Sequence, residues 1–462
     1  MIARGKTMTR KNVQHFTLFF LATFICCEIS LAQSSSKSTT VTSEMVKKEF
    51  IHAWNGYKQY AWGHDALKPL TKQPHDWYGT SLLMTPVDAF DTMVLMGLKK
   101  ESEETKKLIF DSLLFNKNID VQCFEVTIRL LGGLLSAYQL DGDKRFLILA
   151  EDLGKRLLPV FNSPTGMPYR YVHLQTGNVQ KPNNNPAEIG TLLIEFGTLS
   201  KLTGDSIYYQ KAKNALVQLY NRRSSIGLVG SWINVETGEW TNTSSHIGGG
   251  IDSYYEYLFK AWILFGDEEC KTMAEESMKA INRYVADSTS SGHWYGQVDM
   301  NTGKRIGTTF GSLEAFMPAL LCLANDIPHA KKIQQSCYTM WNLYSIEPEE
   351  INYTTMEVTS NDYVLRPEII ESAYYLFHYT ADVQYRKMGE KIFRDLKKYC
   401  RNEVGYSSLK SVVTKEKSDG MESFFFAETM KYLYLLVDTA GTISLDSVVF
   451  NTEAHPIRKT WQ

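Results

Sequence analysis

The sequence predicts an all-α protein, an (α/α)7 barrel with β-hairpins at one mouth and a C-terminal plug. Three observations predict this fold. Asp-containing corners between two helical segments recur along the chain, and Gly-containing turns between extended segments recur with the same spacing of about sixty residues. Helical segments of two kinds also alternate, one apolar on every side and the other amphipathic.

The N-terminal segment is predicted to direct export. Basic residues precede an apolar run from Phe16 to Cys27 that is too short to span a bilayer, and Ser30-Leu31-Ala32 has the small-x-small pattern of a cleavage site. We therefore expect a signal peptide at 1–32, a Ser/Thr-rich disordered linker at 33–43 and the (α/α)7 barrel domain at 44–462. The mature protein is expected to be periplasmic or secreted, with the endoplasmic reticulum lumen as the alternative, and without a stable membrane anchor.

The helical corners follow one pattern. In "LDGDKRFLILA" and three similar stretches, an Asp is followed three residues later by an aromatic residue or Cys, and four residues after that by Ala or Gly. These two later positions share one face of the new helix, and the corner ends one helix and caps the next. The corner acids are Asp143, Asp205, Asp267 and Asp382.

A β-hairpin is predicted within the same repeat. The turns "LQTGNV", "VETGEW" and "MNTGKR" are centred on Gly177, Gly238 and Gly303 and lie between extended, aromatic-rich flanks. The repeating unit is therefore helix, corner, helix and hairpin.

Seven helical pairs are expected, with the apolar helices inside because a helix that is apolar on every side is buried. A closed ring is favoured since no unit looks like a polar terminal cap, although a bundle or an open solenoid has the same periodicity. The inner helices are predicted to begin near Asp88, Glu125, Glu188, Asp252, Ser312, Glu368 and Glu422, and the outer helices to span about 44–62, 100–115, 144–158, 206–222, 268–286, 328–345 and 383–401.

Acidic residues collect at the starts of the inner helices. Capping and the helix dipole account for some of them, but others stand among Phe, Ile, Tyr and Leu, where a charge is costly unless it is paired or used. Since all inner helices run the same way, these acids should converge on one mouth of the barrel. The acids in apolar surroundings are Glu125, Asp252, Glu368 and Glu371, and the expected ion-pair partners of Glu125 and Glu368 are Arg129 and Arg366.

Such an acidic pit fits the hydrolysis of a glycosidic bond, in which one carboxylic acid protonates the leaving oxygen and a second carboxylate activates water or attacks directly. The same acids could also bind a cation. The C-terminal segment Val448 to Phe450 is expected to re-enter the barrel as a plug, placing Thr452 and Glu453 under the pit. The hydroxyl and carbonyl oxygens of Thr452 suit Ca²⁺, and a purely structural plug is the alternative.

Five long segments resemble the signature segments of glycoside hydrolase family 47, the class I α-mannosidases. They are "FEVTIRLLGGLLSAYQLDGD", "DSYYEYLFKAW", "LRPEIIESAYYLF", "MESFFFAETMKYLYLLV" and "FNTEAHP", in the order of the family. Segments nearer the N-terminus also resemble those of the family, so that the resemblance covers about residues 45–456. It implies the (α/α)7 barrel, bound Ca²⁺, and inverting hydrolysis of terminal α-1,2-linked mannose from mannose-rich glycans, as in N-glycan processing.

The resemblance also implies roles for individual residues. Glu125 in "FEVTIR" matches the general acid, acting through a water, and Glu368 in "LRPE" matches the favoured general base, with Asp252 in "DSYYEY" as its rival. Thr452 matches the one direct protein ligand of Ca²⁺, through its hydroxyl and carbonyl oxygens. The residues that match the sugar-contacting shell are Arg129, Glu188, Arg366, Phe424, Glu428 and Glu453.

The sequence departs from the family pattern at several positions. Ser312 stands where many members have a sugar-contacting His, and Ala315 where they have a Cys, which leaves Cys337 without its usual disulfide partner. Gly250 stands where the endoplasmic reticulum enzymes have an Arg that favours one glycan branch. These features resemble the degradation-enhancing α-mannosidase-like branch and bacterial members, and the short C-terminal region favours a bacterial protein.

Other classes of function are less consistent with the sequence. A net charge of -2 gives no reason to expect nucleic acid as a partner, and the odd number of widely spread cysteines after position 32 is not a disulfide framework. We expect a monomer that acts on a mannose-containing oligosaccharide or glycoprotein glycan. The alternatives are a lectin-like mannose-glycan binder with little turnover, and an α-mannosidase of other linkage preference, because of the changes at 250 and 312.

Overall fold

The structure is a computed structural model that describes residues 40–460. The predicted signal peptide at 1–32 and the predicted linker up to residue 39 lie outside the described residues. The first helix begins at Ser43, and the hydroxyl of the capping residue Thr42 accepts a hydrogen bond from the amide of Met45. Between residues 40 and 460, no helix is long and apolar enough to cross a membrane.

Seven inner and seven outer helices alternate along the described chain. The inner ones, first to seventh, comprise Met84–Leu95; Cys123–Val126, Thr127–Leu131 and Gly132–Asp141; Pro186–Gly190 and Leu193–Thr203; Asp252–Phe265; Leu313–Phe316 and Met317–Leu323; Glu368–Thr380; and Phe425–Thr429 and Met430–Val437. The outer ones are Ser43–Tyr60, Lys99–Ser112, Lys144–Leu157, Ile207–Tyr220, Glu268–Tyr284, Ile327–Tyr344 and Val383–Tyr399.

The inner helices form a closed ring. Each packs against the inner helices on both sides of it, and the seventh packs against the first. Every residue of Met430–Val437 is buried, whereas the outer helix Lys99–Ser112 buries only three of its residues, Ser102, Thr105 and Ile109. The (α/α)7 barrel is therefore confirmed, and the open solenoid is excluded.

The corners have the predicted geometry. Gly142, Gly204 and Gly266 each adopt a left-handed conformation after an inner helix, with φ of 86°, 79° and 70°. At the fourth corner Ala381 adopts the same conformation, with φ of 54°. The side chains of Asp143, Asp267 and Asp382 cap the following outer helices, and Asp205 accepts a hydrogen bond from the amide of Ile207.

The three predicted hairpins are present, and others were missed. The predicted ones pair Tyr171–His173 with Val179–Gln180, Trp232–Asn234 with Trp240–Asn242, and Gln297–Asp299 with Arg305–Gly307. Further hairpins pair Ala66–Lys68 with Gln73–His75, Ala286–Thr289 with Gly292–Tyr295, Glu350–Asn352 with Glu357–Ser360, and Leu409–Ser411 with Glu416–Lys417. In the last two, Met356 and Lys415 take the positive φ that Gly takes in the predicted turns, so the sequence carries no glycine signal there.

The C-terminal plug is also present. Val448–Phe450 pairs antiparallel with Pro456–Arg458, and the turn between them is held by Asn451, which is fully buried. The Asn451 side chain donates to the carbonyl of Ile128 at 2.8 Å and accepts from the amides of Glu453 and His455 at 2.9 and 2.8 Å. A polar cluster thus anchors the tail inside the ring.

The plug accounts for two glycines in the second inner helix. A Cβ on Gly132 would lie 2.5 Å from the Asn451 side-chain nitrogen, and one on Gly133 would lie 2.8 Å from Val87 and 3.2 Å from His455. Contacts with the tail, together with packing on the first inner helix, therefore require the glycine pair.

Candidate active site

The starts of the second to seventh inner helices surround a cavity of ≈ 490 Å³, and two of the β-hairpins also contribute to its wall. Every site residue predicted from the sequence lines this cavity, although these residues come from five inner helices, from the residues just before two of those helices, and from the tail. They are Glu125, Arg129, Glu188, Asp252, Arg366, Glu368, Phe424, Glu428, Thr452 and Glu453. The predicted convergence is confirmed, while the chemical role of each residue stays a prediction.

Arg129 is a buried cation in the cavity wall. Its Nε atom lies 3.0 Å from Glu125 Oε2, and its Nη1 atom forms an ion pair with Glu453 and lies 3.8 Å from Asp88 Oδ2. Its guanidinium lies 5.2 Å from the ring centroid of Trp77. Burial lowers the pKa of Arg129, but the charges of Glu453 and Glu125 outweigh it and raise that pKa. The predicted pairing of Glu125 with Arg129 is confirmed.

Two helical segments at the cavity are π-helical. Thr127–Leu131 carries Arg129, and Phe425–Thr429 carries Glu428. Short π-helical segments are rare in proteins and are frequent at functional sites, because the wider turn changes the direction in which the side chains project. Both cavity residues therefore occupy positions that a regular helix would not provide.

The two candidate bases have similar environments. Burial raises the pKa of Asp252 to about 7 and that of Glu368 to about 7, and the charge of Asp252 contributes to the shift at Glu368. Oδ1 of Asp252 accepts a hydrogen bond from the amide of Ser253 at 2.8 Å. Oε2 of Glu368 is buried and accepts no hydrogen bond from residues 40–460. Glu368 therefore keeps an oxygen available to a water molecule.

The predicted ion pair between Arg366 and Glu368 is wrong. Nη2 of Arg366 lies 2.5 Å from Oε1 of Glu349, and its Nε atom lies 3.3 Å from Oε2 of the same residue. The preceding Leu365 has a φ of 67°, so that Arg366 lies in an irregular turn rather than on the helix that begins at Glu368. Burial raises the pKa of Glu368, and Arg366 opposes this shift through its charge alone.

The tip of the C-terminal hairpin forms the cavity floor, where carboxylates are crowded. Burial, and then the charge of Glu453, raises the pKa of Glu428 well above its usual range. Burial, and then the charge of Glu256, raises the pKa of Glu371 to about 8. Because Arg129 is already paired, the floor carries an excess of acidic groups, which favours a cation.

Thr452 offers two oxygen atoms at this floor. Its amide donates to the hydroxyl of Tyr257 at 3.3 Å, and no residue in the described part of the chain donates a hydrogen bond to its hydroxyl or carbonyl oxygen. Among residues 40–460, no group of three His, Cys, Asp or Glu side chains could hold a metal ion by itself. The donors present therefore fit a hard cation that retains water ligands.

A second charged cluster lies directly beneath the floor. Nδ1 of His455 lies 2.6 Å from Asp91 Oδ2 and its Nε2 atom lies 3.0 Å from Asp88 Oδ1, while Lys431 lies 2.7 Å from Asp91 Oδ1 and donates to the carbonyl of Ala454 at 2.6 Å. All four charged side chains are fully buried. Asp88, which was predicted near the start of an inner helix at the mouth, instead belongs to this cluster, because its helix begins at Met84, one turn earlier.

The departures from the family pattern are visible in the structure. Cys337 is buried and unpaired, as expected. Ser312 is buried, and its hydroxyl forms no hydrogen bond with residues 40–460. Gly250 has a φ of 89°, and a Cβ there would be 3.7 Å from its nearest neighbour, Asn185. No side chain at position 250 therefore narrows the cavity.

Two cavity residues on the hairpins, Arg170 and Trp232, were not anticipated. The turn glycines predicted the hairpins and their place at the mouth. The strand sequences do not indicate which of their several aromatic and basic residues face the cavity, because strands this short carry little alternation.

Comparison with known proteins gives one consistent family. The family model for glycosyl hydrolase family 47 matches residues 49–459. Mannosyl-oligosaccharide 1,2-alpha-mannosidase MNS1 of Arabidopsis thaliana is 38% identical over 440 residues, which cover 90% of this chain and 78% of that protein. ER degradation-enhancing alpha-mannosidase-like protein 2 of Homo sapiens is 38% identical over 453 residues, covering 90% and 77%. The structure of alpha-1,2-mannosidase from Trichoderma reesei matches with a TM-score of 0.83 and 27% identity, over 90% of this chain and 98% of that chain.

Proposed function

The chain belongs to glycosyl hydrolase family 47, and we propose that it is a Ca²⁺-dependent, inverting glycosidase that removes terminal α-1,2-linked mannose from mannose-rich glycans. The observation that carries this proposal is the convergence of Glu125, Asp252 and Glu368 on one cavity whose floor is Thr452. Glycoside hydrolysis requires two carboxyl groups on opposite sides of the scissile bond, and these three acids are among those that line the cavity.

In this proposal Glu125 is the general acid. The ion pair with Arg129 orients its carboxyl group, and a water between Glu125 and the glycosidic oxygen passes the proton to the leaving sugar. Glu368 is the general base, since its free, buried Oε2 atom can accept a proton from the attacking water. That water attacks the anomeric carbon from the face opposite the leaving group, which inverts the configuration. Asp252 is the alternative base.

The cation is proposed to lie on the two oxygens of Thr452, with water ligands held by the floor carboxylates. A bound Ca²⁺ would supply positive charge to orient mannose hydroxyls and to help distort the ring. The crowding of acidic groups at the floor and the unpartnered Thr452 oxygens support this site. A C-terminal plug with a purely structural role would need neither the crowded acidic groups nor the unpartnered oxygens of Thr452.

The choice of mannose and of the α-1,2 linkage rests on the relatives, two of which are named for that activity. The changes at Ser312 and Gly250 make another linkage preference the second candidate. A lectin-like binder is less consistent with the cavity, since binding alone does not require Glu125, Asp252 and Glu368 to converge beside the unpartnered oxygens of Thr452.

We propose that the protein works outside the cytoplasm, as a periplasmic, secreted or endoplasmic reticulum lumenal enzyme, after removal of a signal peptide. The names of relatives that place them in the endoplasmic reticulum support this route. We further propose a monomer that acts on oligosaccharide or glycoprotein glycans.

Incubation with α-1,2-, α-1,3- and α-1,6-linked mannobiose in the presence of Ca²⁺ tests the proposal. Release of mannose from the α-1,2 disaccharide is the expected result, and proton NMR of the first product should show β-mannose, the inverted anomer. Cleavage of only the other disaccharides would support the second candidate. Calorimetric binding without release of mannose would support the lectin-like alternative.

A further inference from the structure

Arg170 and Trp232 bring two hairpins together at the cavity. Arg170 directly precedes the strand Tyr171–His173, and Trp232 begins the strand Trp232–Asn234. Both side chains line the cavity, and the Arg170 guanidinium lies 5.4 Å from the ring centroid of Trp232. This distance is within the range of a cation–π contact.

Arg170 is itself held in place. Its Nε atom lies 2.8 Å from Glu188 Oε2, and its Nη2 atom lies 2.8 Å from Glu188 Oε1. The Asn185 side chain donates to Glu188 Oε1 at 2.8 Å and accepts from the Glu188 amide at 2.9 Å. The planar guanidinium that supports Trp232 is therefore fixed before any ligand binds, which lowers the entropy cost of binding.

The pair lies near the candidate acid. Arg170, Trp232 and Glu125 line the same cavity. The acid protonates the oxygen of the leaving group, and groups next to it border the leaving sugar. Gly250 also lines the cavity and has no side chain to fill it.

We propose that Trp232, supported by Arg170, forms an outer subsite that binds a neutral hexopyranose unit on the leaving-group side of the scissile bond. This inference rests on the proposed function. The half-buried indole presents an apolar surface to the cavity, which suits the C–H face of a sugar ring. Glu188 satisfies the charge of Arg170, so the subsite favours a neutral sugar over a phosphorylated or carboxylated one.

Replacement of Trp232 by Leu tests the subsite against a matched control. Trp240 lies on the partner strand of the same hairpin, is also half-buried, and does not contribute to the cavity wall. We expect Trp232→Leu to lower kcat/KM for a mannose-rich N-glycan roughly tenfold, because one central contact of a binding site is lost. Trp240→Leu should remain within about twofold of wild type when both proteins are folded, as judged by thermal unfolding.

The second readout is binding of 1-deoxymannojirimycin, a monosaccharide analogue that is large enough for one sugar position only and that we expect at the innermost one. Its Kd should be unchanged in Trp232→Leu, while this variant loses activity on the glycan. Equal glycan activity in Trp232→Leu and Trp240→Leu would overturn the subsite, as would an equal loss of glycan cleavage and analogue binding. If wild type cleaves no mannoside, the proposed function fails instead.

Discussion

His455 and Asp91 form a fully buried ion pair beneath the cavity floor, with Nδ1 of His455 2.6 Å from Oδ2 of Asp91. The pair joins the last residues of the plug to the first inner helix. Since Thr452 lies in the same short turn as His455, the position of the floor depends on this contact.

The first prediction concerns stability. Removing one partner of a buried pair leaves an uncompensated charge, so His455→Ala should lower the free energy of unfolding by about 3–5 kcal/mol. His378 is a suitable control, because its partner Asp446 is 84% exposed and lies 3.5 Å away. His378→Ala should cost less than about 1 kcal/mol. Urea unfolding of both variants measures the difference, and similar values would contradict the role given to the buried pair.

The second prediction concerns pH. Burial lowers the pKa of His455. The charge of Asp91, and the hydrogen bonds that His455 forms with Asp88 and Asp91, outweigh burial and raise this pKa to about 9. The folded pKa lies above that of an unfolded His, about 6.5, so the stabilisation is fully present below pH 6.5 and is lost as pH rises through about 9. The stability difference between wild type and His455→Gln should therefore shrink over that range. A difference that is constant or grows with pH would contradict this assignment.

The third prediction identifies the base. Burial raises the pKa of Glu368 and of Asp252 to about 7, and a base must be ionised, so kcat/KM should increase with pH through about 7. Glu368→Gln should lower kcat by about 10²–10⁴-fold and remove this acidic limb from the residual activity. Asp252→Asn should retain the limb. The opposite pattern would make Asp252 the base.

The fourth prediction concerns the glycine pair. A Cβ on Gly132 would lie 2.5 Å from the Asn451 side-chain nitrogen, so Gly132→Ala should displace the plug and lower both stability and activity. The helical preference for Ala, about 1 kcal/mol, acts in the opposite direction. Gly420→Ala is the control, since a Cβ there would meet its nearest neighbour, Ser408, at 3.4 Å. Wild-type activity in Gly132→Ala would show that the plug has room to move.

The barrel could be predicted from the sequence because each repeat carries its own capping and turn residues. Each corner needs a left-handed residue and a capping Asp, and the turns at Gly177, Gly238 and Gly303 need a positive φ. Where Met356 and Lys415 adopt that conformation without glycine, the hairpins were missed. Local signals therefore predict an element only where they are present in the sequence.

The errors have a different cause, which is contact between residues distant in sequence. The amides of Leu82 and Met84 donate to Asp65 Oδ1, so the first inner helix begins earlier than its own residues indicate, and Asp88 moves below the mouth. Arg366 pairs with Glu349 rather than with its near neighbour Glu368. The periodicity of a sequence gives no information about contacts between residues that are far apart along the chain. The convergence of the acids was predictable, because parallel inner helices place all their starts at one mouth.

We propose above that the gathered carboxylates act over a Ca²⁺ ion held by Thr452. Hydrolysis of α-1,2-mannobiose by chelator-treated protein, with Ca²⁺ then added back, tests it most directly, using Thr452→Ser to keep both oxygen ligands and Thr452→Ala to remove one. We expect chelation to abolish activity and added Ca²⁺ to restore it in wild type and Thr452→Ser, but not in Thr452→Ala. Full activity in the chelated protein, or equal recovery in both variants, would contradict it.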